Sequence, residues 1–510
     1  MLEKVTERQI VLGCIVSAEY LFQVKDIFDY NYFRSEAAKR ICRWGFDFYN
    51  KYNKAIGEDI TELYLEKLKK EHISEEVEEQ IELILESISE EFERETFNFD
   101  YIADKTEEYF QARAVQLHQE KVQVLLDSGD TEEANKLIEN FQMPIRKKGN
   151  GVDLSDPEIL EKLQQAFQEK EKPLFKLPGS AGELVNEYLL RDCFIAMQGP
   201  EKAGKTWHLL EFAMRAAKQG CNVAFFQAGD MSENQQIRRI SIYRAQLSDD
   251  EKYTGQQWIT EKDCYYQQTD LCQEPQRECD FGLFPSNQNI QSRTDITAEM
   301  LQTAYEENPE YSPCRNCPKF LGTPFMRKVN LGSPLTVYDA QREFTKFFIS
   351  KKRRFKLQTY ANGTLSVPMI TKQLDEWEKQ GFIVDVIIID YADLLVSSIV
   401  EFRHSQNDIW KSLRGLSQKR HCCVITATQA NAASYKTDTM TMDNFSEDKR
   451  KFAHVTMMMG LNKDKLGREK RLGMMRWNII VAREGEFDPM RCVNIVQSLK
   501  QGRALMTSYW

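Results

Sequence analysis

This sequence predicts an α/β chain: a mostly parallel sheet in its larger C-terminal part, an all-helical region ahead of it, and a small cysteine-rich module interrupting the sheet region. Three observations carry the prediction. From residue 174 onward, short apolar runs alternate with helical stretches. Residues 1–110 carry the 3.6-residue helical spacing without a strong strand signal. A glycine loop, Gly199-Pro200-Glu201-Lys202-Ala203-Gly204-Lys205-Thr206, stands between an apolar run and a helix.

Bulk composition narrows the classes of function. With 510 residues, 42% hydrophobic and 29% charged, the chain has material for two or more globular domains and lacks the bias of a disordered or fibrous protein. Residues 1–8 are too charged for a secretory leader and no apolar run reaches bilayer length, so the sequence reads as cytoplasmic (host cytoplasm if viral), with no membrane partner. A formal net charge of −10 argues against a uniformly basic coat, and any nucleic acid has to be held by a local positive strip.

In the helical region, Thr6 and Gln9 have the spacing of a capping box ahead of Ile10. Residues 60–68 and 101–117 repeat apolar side chains at helical spacing. Between 71 and 95 the stripe Val77, Ile81, Ile84, Ile88 and Phe92 gives a glutamate-rich helix one buried face. Residues 111–173 read as helices and a connector, with a basic, breaker-rich link at 143–151 and a helix at 157–169. The stripe Ile159, Leu160, Leu163 and Phe167 on that last helix has no partner nearby in sequence, and docks either on a neighbouring subunit or within its own chain. Beyond it, strands are expected at 193–197, 222–226, 355–359, 384–389, 422–426, 455–459, 477–481 and near 504–506.

The glycine loop is the strongest chemical signal. Placed between a strand and a helix, G-x-x-x-x-G-K-[ST] wraps backbone N–H groups around the phosphates of ATP or GTP, and Gly199 and Gly204 let the chain turn tightly against them. Lys205 is placed for the β- and γ-phosphates and Thr206 for a bridging Mg²⁺, while Pro200, Glu201, Lys202 and Ala203 complete the cradle. Asp390, delivered by the apolar run 384–389, is the Mg²⁺-side carboxylate, with Asp393 a weaker candidate or a turn cap. Asp230 is placed to orient or deprotonate an attacking water, its alternative being a helix cap near Ser232. Gln429 stands where a polar side chain senses the γ-phosphate, or else is a satisfied core amide.

In chain order, the glycine loop, Asp230-Met231-Ser232-Glu233, Ile388-Ile389-Asp390-Tyr391 and Thr428-Gln429-Ala430-Asn431 resemble the motif series of DnaB-type replicative helicases, members of the RecA-like ATPases. Thr6 to Gly13, with Phe33, Ile41 and the leucines from 63 to 68, is similar to that family's helical N-terminal domain. The resemblance implies a helical N-terminal domain at 1–110, a helical connector and linker helix at 111–173, and a RecA-like ATPase domain at 174–510 with an insertion at 250–335. It also implies ATP and Mg²⁺ as cofactors, hydrolysis at subunit interfaces, a homo-oligomeric, hexameric ring moving along single-stranded DNA, and a primase or loader as partner. An unusual insertion suits a phage-encoded member.

Loops after Asp390 and Gln429 would line the ring's channel by this resemblance, which makes Arg403, His404, Lys436, Lys449 and Arg450 candidates for DNA phosphate contact; each is equally an ordinary surface cation. There are two departures. Family members commonly have Glu where Asp230 stands, and a Lys-x-Arg pair where Val481-Ala482-Arg483 keeps only the arginine. Arg483 is the candidate finger reaching a neighbour's nucleotide. The alternative function is an ATP-switched DNA-binding protein, a helicase loader or recombination mediator, without unwinding activity.

Cys314-Arg315-Asn316-Cys317 is a C-x-x-C knuckle between prolines, with Cys264, Cys272 and Cys279 upstream. Cys264, Cys272, Cys314 and Cys317 are expected to hold one structural Zn²⁺, with Cys279 as a possible substitute, and the metal to supply a fold that a tiny core cannot.

Overall fold

The computed structural model describes residues 2–71, 73–92, 98–139, 141, 143–144, 159–168, 172–284, 290–315, 317, 319–397, 402–431, 437–442 and 449–510. The chain forms two compact units, Met1–Glu171 with Asp375–Ile383, and Lys172–Leu374 with Val384–Trp510.

The first unit is helical among its described residues, its longest element being Phe99–Asp127. The helix Leu2–Val16 runs straight through Thr6 and Gln9, so the expected capping box does not begin a helix. A cap falls instead at Ser17, whose side chain accepts from the Tyr20 N–H at 3.1 Å and opens the helix Ala18–Val24. In the glutamate-rich helix Glu75–Phe92, Ile81 and Ile88 are buried and Val77 and Ile84 pack against the same core, which holds Ile41, Trp44 and Phe110. On the helix Ile159–Gln168, Leu160, Leu163 and Phe167 are all exposed. Most of the link at 143–151, and residues 157, 158 and 169, lie outside the described residues.

The second unit is built on strands β1 (Phe194–Gly199), β2 (Val223–Gln227), β3 (Gln256–Cys264), β4 (Gly322–Asn330), β5 (Phe355–Thr359), β6 (Val386–Asp390), β7 (Cys423–Gln429), β8 (Met457–Asn462), β9 (Met474–Ala482), β10 (Val493–Ser498) and β11 (Arg503–Tyr509). Nine of them form one sheet in the order β11-β10-β9-β8-β1-β7-β6-β2-β5, and β3 pairs with β4 alone. Neighbours from β8 to β5 are parallel, whereas β9, β10 and β11 extend the sheet antiparallel. Every residue of β1, β2 and β6 is buried, which is why these strands read as unbroken apolar runs. Parallel order brings the C-terminal ends of β1, β2, β6 and β7 to one edge, where ligands of open α/β sheets bind. The expected strands are all present. Three others, β3, β4 and β10, were not foreseen, because they are short on apolar residues or lack clean alternation.

The antiparallel pair β3/β4 and the helix Ala298–Glu307 lie within the expected insertion, and here the zinc expectation fails. Among the described residues no group of three or more His, Cys, Asp or Glu is placed to hold a metal ion, so Cys264, Cys272, Cys314 and Cys317, with or without Cys279, do not form the expected site. The insertion has the apolar core that the expectation denied it. Leu283, Phe284, Leu301, Ala304, Phe325 and Met326 pack together and continue into Met474, Val496 and Tyr509 of the main sheet.

The cysteine backbone and side chains serve this packing. Cys279 Sγ accepts from the Ser312 N–H at 3.0 Å, and the N–H groups of Cys264 and Cys314 donate to Asp263 Oδ1 at 2.7 and 2.8 Å. Tyr311 Oη donates to Asp263 Oδ2 at 2.7 Å. Burial pushes the Asp263 carboxyl up to about 6 against the pull of these donors. Asp263→Ala strands three buried donors and should lower the opening free energy of β3 and β4, measured by amide hydrogen exchange, by about 2–4 kcal/mol. Unchanged protection would remove Asp263 as the anchor of the insertion.

Candidate phosphate-binding site

The chain leaves β1 at Gly199, turns through residues 200–204 and enters the helix Lys205–Lys218. Gly204 sits at φ +90°, a backbone conformation that favours glycine, and a Cβ there would also press on the tip of the Leu499 side chain. The helix starts at Lys205, which puts Lys205 and Thr206 on the first turn, where free N–H groups and the helix dipole favour anions. The Lys205 ammonium donates to the carbonyls of Gly199 and Pro200 at 3.0 and 3.1 Å and lies 5.8 Å from the centre of the Tyr391 ring. Burial lowers its pKa, and the surrounding carboxylates of Asp393, Asp390, Glu201 and Asp230 oppose that shift.

Thr206 Oγ1 donates to Asp390 Oδ1 at 3.2 Å. Asp390 is 1% exposed, and its Oδ2 has no hydrogen-bond partner among the described residues. Burial pushes this carboxyl up to about 6, with the Thr206 hydroxyl and the Arg239 guanidinium pulling the other way. A buried carboxylate oxygen without a donor, beside a threonine hydroxyl, is incomplete within the protein and matches what a hard, oxygen-seeking cation requires. The residues present therefore fit a magnesium-bound nucleotide phosphate.

Glu201, Lys202, Ala203, Gly204, Lys205 and Thr206 share one cavity of about 410 Å³ with Asp230, Arg239, Tyr391 and Gln429. Asp230 is exposed there, and the cap of the following helix, Glu233–Ala245, is made by Ser232 and Gln235 bonding each other's backbone N–H. Gln429 is the partner of Gly199 in the β1/β7 register, and its Nε2 donates to Glu201 Oε1 at 2.8 Å.

Arg483 stands apart from this cavity. In the sheet, β8 runs parallel to β1 with Met457 beside Ile195, and antiparallel β9 sets Ala482 against Met457. Arg483 thus falls at the strand-start edge, roughly 16 Å along the strands from Gly199 at about 3.3 Å per residue. Its Nε donates to Val455 O at 3.0 Å and its Nη2 to Ala453 O.

No family model matches the chain, and no curated protein matches it. The solved structures similar to it include these two. One, an ATPase domain, is 12% identical with a TM-score of 0.44, covering 69% of this chain and 99% of that one. The other, a DnaB-like replicative helicase described with its interactions with primase, is 13% identical with a TM-score of 0.43, covering 98% of this chain and 99% of that one. Among the described residues no helix is long and apolar enough to cross a membrane.

Of the five candidate DNA contacts, His404 and Arg450 are exposed. They lie on the helix Phe402–Lys419 and the turn Lys449–Ala453; just past that turn, His454 Nε2 meets Asn407 Oδ1 of the helix at 2.9 Å. The side chains of Arg403 and Lys449, and all of Lys436, lie outside the described residues. The sequence reading missed Arg239, whose guanidinium sits 5.3 Å from the Trp207 ring centre in the phosphate cavity. Burial lowers its pKa, and Asp390 and Asp230 offset that shift. Its signal was a cation on the helix that follows Asp230, legible only once that helix is seen to lie along the loop.

Proposed function

We propose that the chain is a DnaB-type, RecA-like ATPase that hydrolyses ATP at subunit interfaces to translocate on single-stranded DNA and unwind duplex. The orphaned Asp390 Oδ2 beside Thr206, next to Lys205, carries this reading: it supports Mg²⁺ held by Thr206 and Asp390. Magnesium-bound ATP supplies the phosphoanhydride bond whose cleavage drives movement. Lys205 exchanges the carbonyls of Gly199 and Pro200 for phosphate oxygens, Asp230 orients the attacking water, and Gln429 reports the γ-phosphate.

The place of Arg483 supports assembly. At the far edge of its own sheet it serves as a finger only toward another copy's nucleotide, so the complete site needs a homo-oligomer, and a hexameric ring satisfies every interface alike. The exposed stripe Leu160, Leu163 and Phe167 supports such contact between copies. His404 and Arg450, together with Arg403, Lys436 and Lys449, are the DNA-facing cations of this reading, which also places the protein in the cytoplasm with a primase or loader as partner.

The test is native mass measurement with ATP, combined with DNA-stimulated ATP turnover and displacement of a forked strand. An ATP-switched DNA-binding protein is the second reading, favoured by Val481 and by an Arg483 guanidinium already engaged with two carbonyls. Turnover without displacement would select it, and absence of turnover would end both.

A further inference from the structure

The Asp393 carboxylate gathers donors from separate stretches of the chain. Its Oδ2 accepts from Thr428 Oγ1 at 2.7 Å and from the Gln429 N–H at 2.9 Å, and its Oδ1 receives the Lys451 ammonium at 2.9 Å. Asp393 lies in the short turn Ala392–Leu394 after β6, Thr428 and Gln429 end β7, and Lys451 belongs to the turn Lys449–Ala453. Lys451 is 1% exposed, and its ammonium also lies 5.2 Å from the centre of the Trp410 ring. A buried ammonium is costly unless it is paired, and Asp393 supplies a carboxylate that pairs it. On the other side, Gln429 reaches Glu201 in the glycine loop at 2.8 Å. Direct hydrogen bonds thus run from Glu201 through Gln429 and Asp393 to Lys451.

We infer that Asp393 is a positioning residue that couples the phosphate loop to the turn bearing Lys449 and Arg450, with Lys451 as its buried counter-charge. The inference rests on the reading of the loop as a nucleotide site. A γ-phosphate that draws the Gln429 amide away from Glu201 shifts the end of β7, and the shared carboxylate passes that shift to the 449–453 turn. Coupling of this kind is reciprocal: whatever the turn binds changes nucleotide affinity by the factor by which nucleotide changes affinity at the turn.

The experiment is amide hydrogen exchange of residues 449–456 in the full chain, with and without magnesium and a slowly hydrolysed ATP analogue, for the wild type, Lys451→Met and Lys451→Arg. The wild type should show an analogue-dependent change in exchange rate of about fivefold or more. Lys451→Arg should retain the change. Lys451→Met should lose it while binding the analogue with unaltered affinity. If the wild type binds the analogue without any change at the turn, or Lys451→Met keeps the full change, the coupling is wrong and the nucleotide reading survives. If the wild type binds no analogue, the nucleotide reading itself fails and takes the coupling with it. Should Lys451→Met not fold, the wild-type comparison still decides the matter.

Discussion

Lys205→Ala should cut ATP turnover by about 10³-fold and weaken nucleotide binding, because it removes a positive charge set among Asp390, Asp393, Glu201 and Asp230. Glu201 and Asp230, which line the cavity, would then face the phosphates without a lysine between them. The fold should not suffer, since the ammonium donates to two carbonyls at the mouth of a cavity that water also reaches. Steady-state turnover, calorimetric titration of nucleotide and thermal melting together separate these effects. Unaltered affinity and turnover would end the reading of residues 199–206 as a phosphate cradle.

Arg483→Ala should be nearly as severe, with turnover lower by about 10³-fold, yet with nucleotide affinity in a single copy unchanged. The decisive form of the experiment mixes two inactive proteins. Arg483 and the glycine loop lie at opposite edges of one sheet, so a copy carrying Lys205→Ala still offers a sound finger, and a copy carrying Arg483→Ala still offers a sound loop. Where they meet, one interface is whole, and the mixture should regain turnover that neither protein shows alone. Failure to regain any, with mixed assemblies confirmed by native mass, would remove Arg483 from the reaction.

Much of the candidate site's geometry was legible because its parts are local. The glycine loop, the carboxylate ending an apolar strand and the glutamine ending another each announce themselves within a few residues, and parallel strand order carries them to one edge. The parts that stayed hidden depend on distance along the chain. Nothing near Lys451 in sequence says that its ammonium will be buried against Asp393, and nothing near Asp230 says that Arg239 will stack on Trp207.

The zinc expectation failed for the same reason. It rested on the spacing of the cysteines and on a core too small to stand without metal, while that core is completed by Met474, Val496 and Tyr509, far beyond any local window. At the other end of the chain, Thr6 and Gln9 matched a capping pattern that the helix simply ran through, because the residues before them continue its hydrogen-bonded turns.

That borrowed core also determines what can be cut away. Thr260 Oγ1 donates to Leu472 O at 2.5 Å, Arg293 clasps the carbonyls of Gly322 and Trp510 at 2.9 Å each, and a Cβ on Gly322 would lie 2.2 Å from the Tyr509 ring. Excising residues 256–330 would leave Met474, Val496 and Tyr509 as an oily scar on the outer strands, so a trimmed version would be sticky instead of minimal. The module at 256–330 is thus stitched into the outer strands by a shared core and by hydrogen bonds, and does not hang from them on a tether.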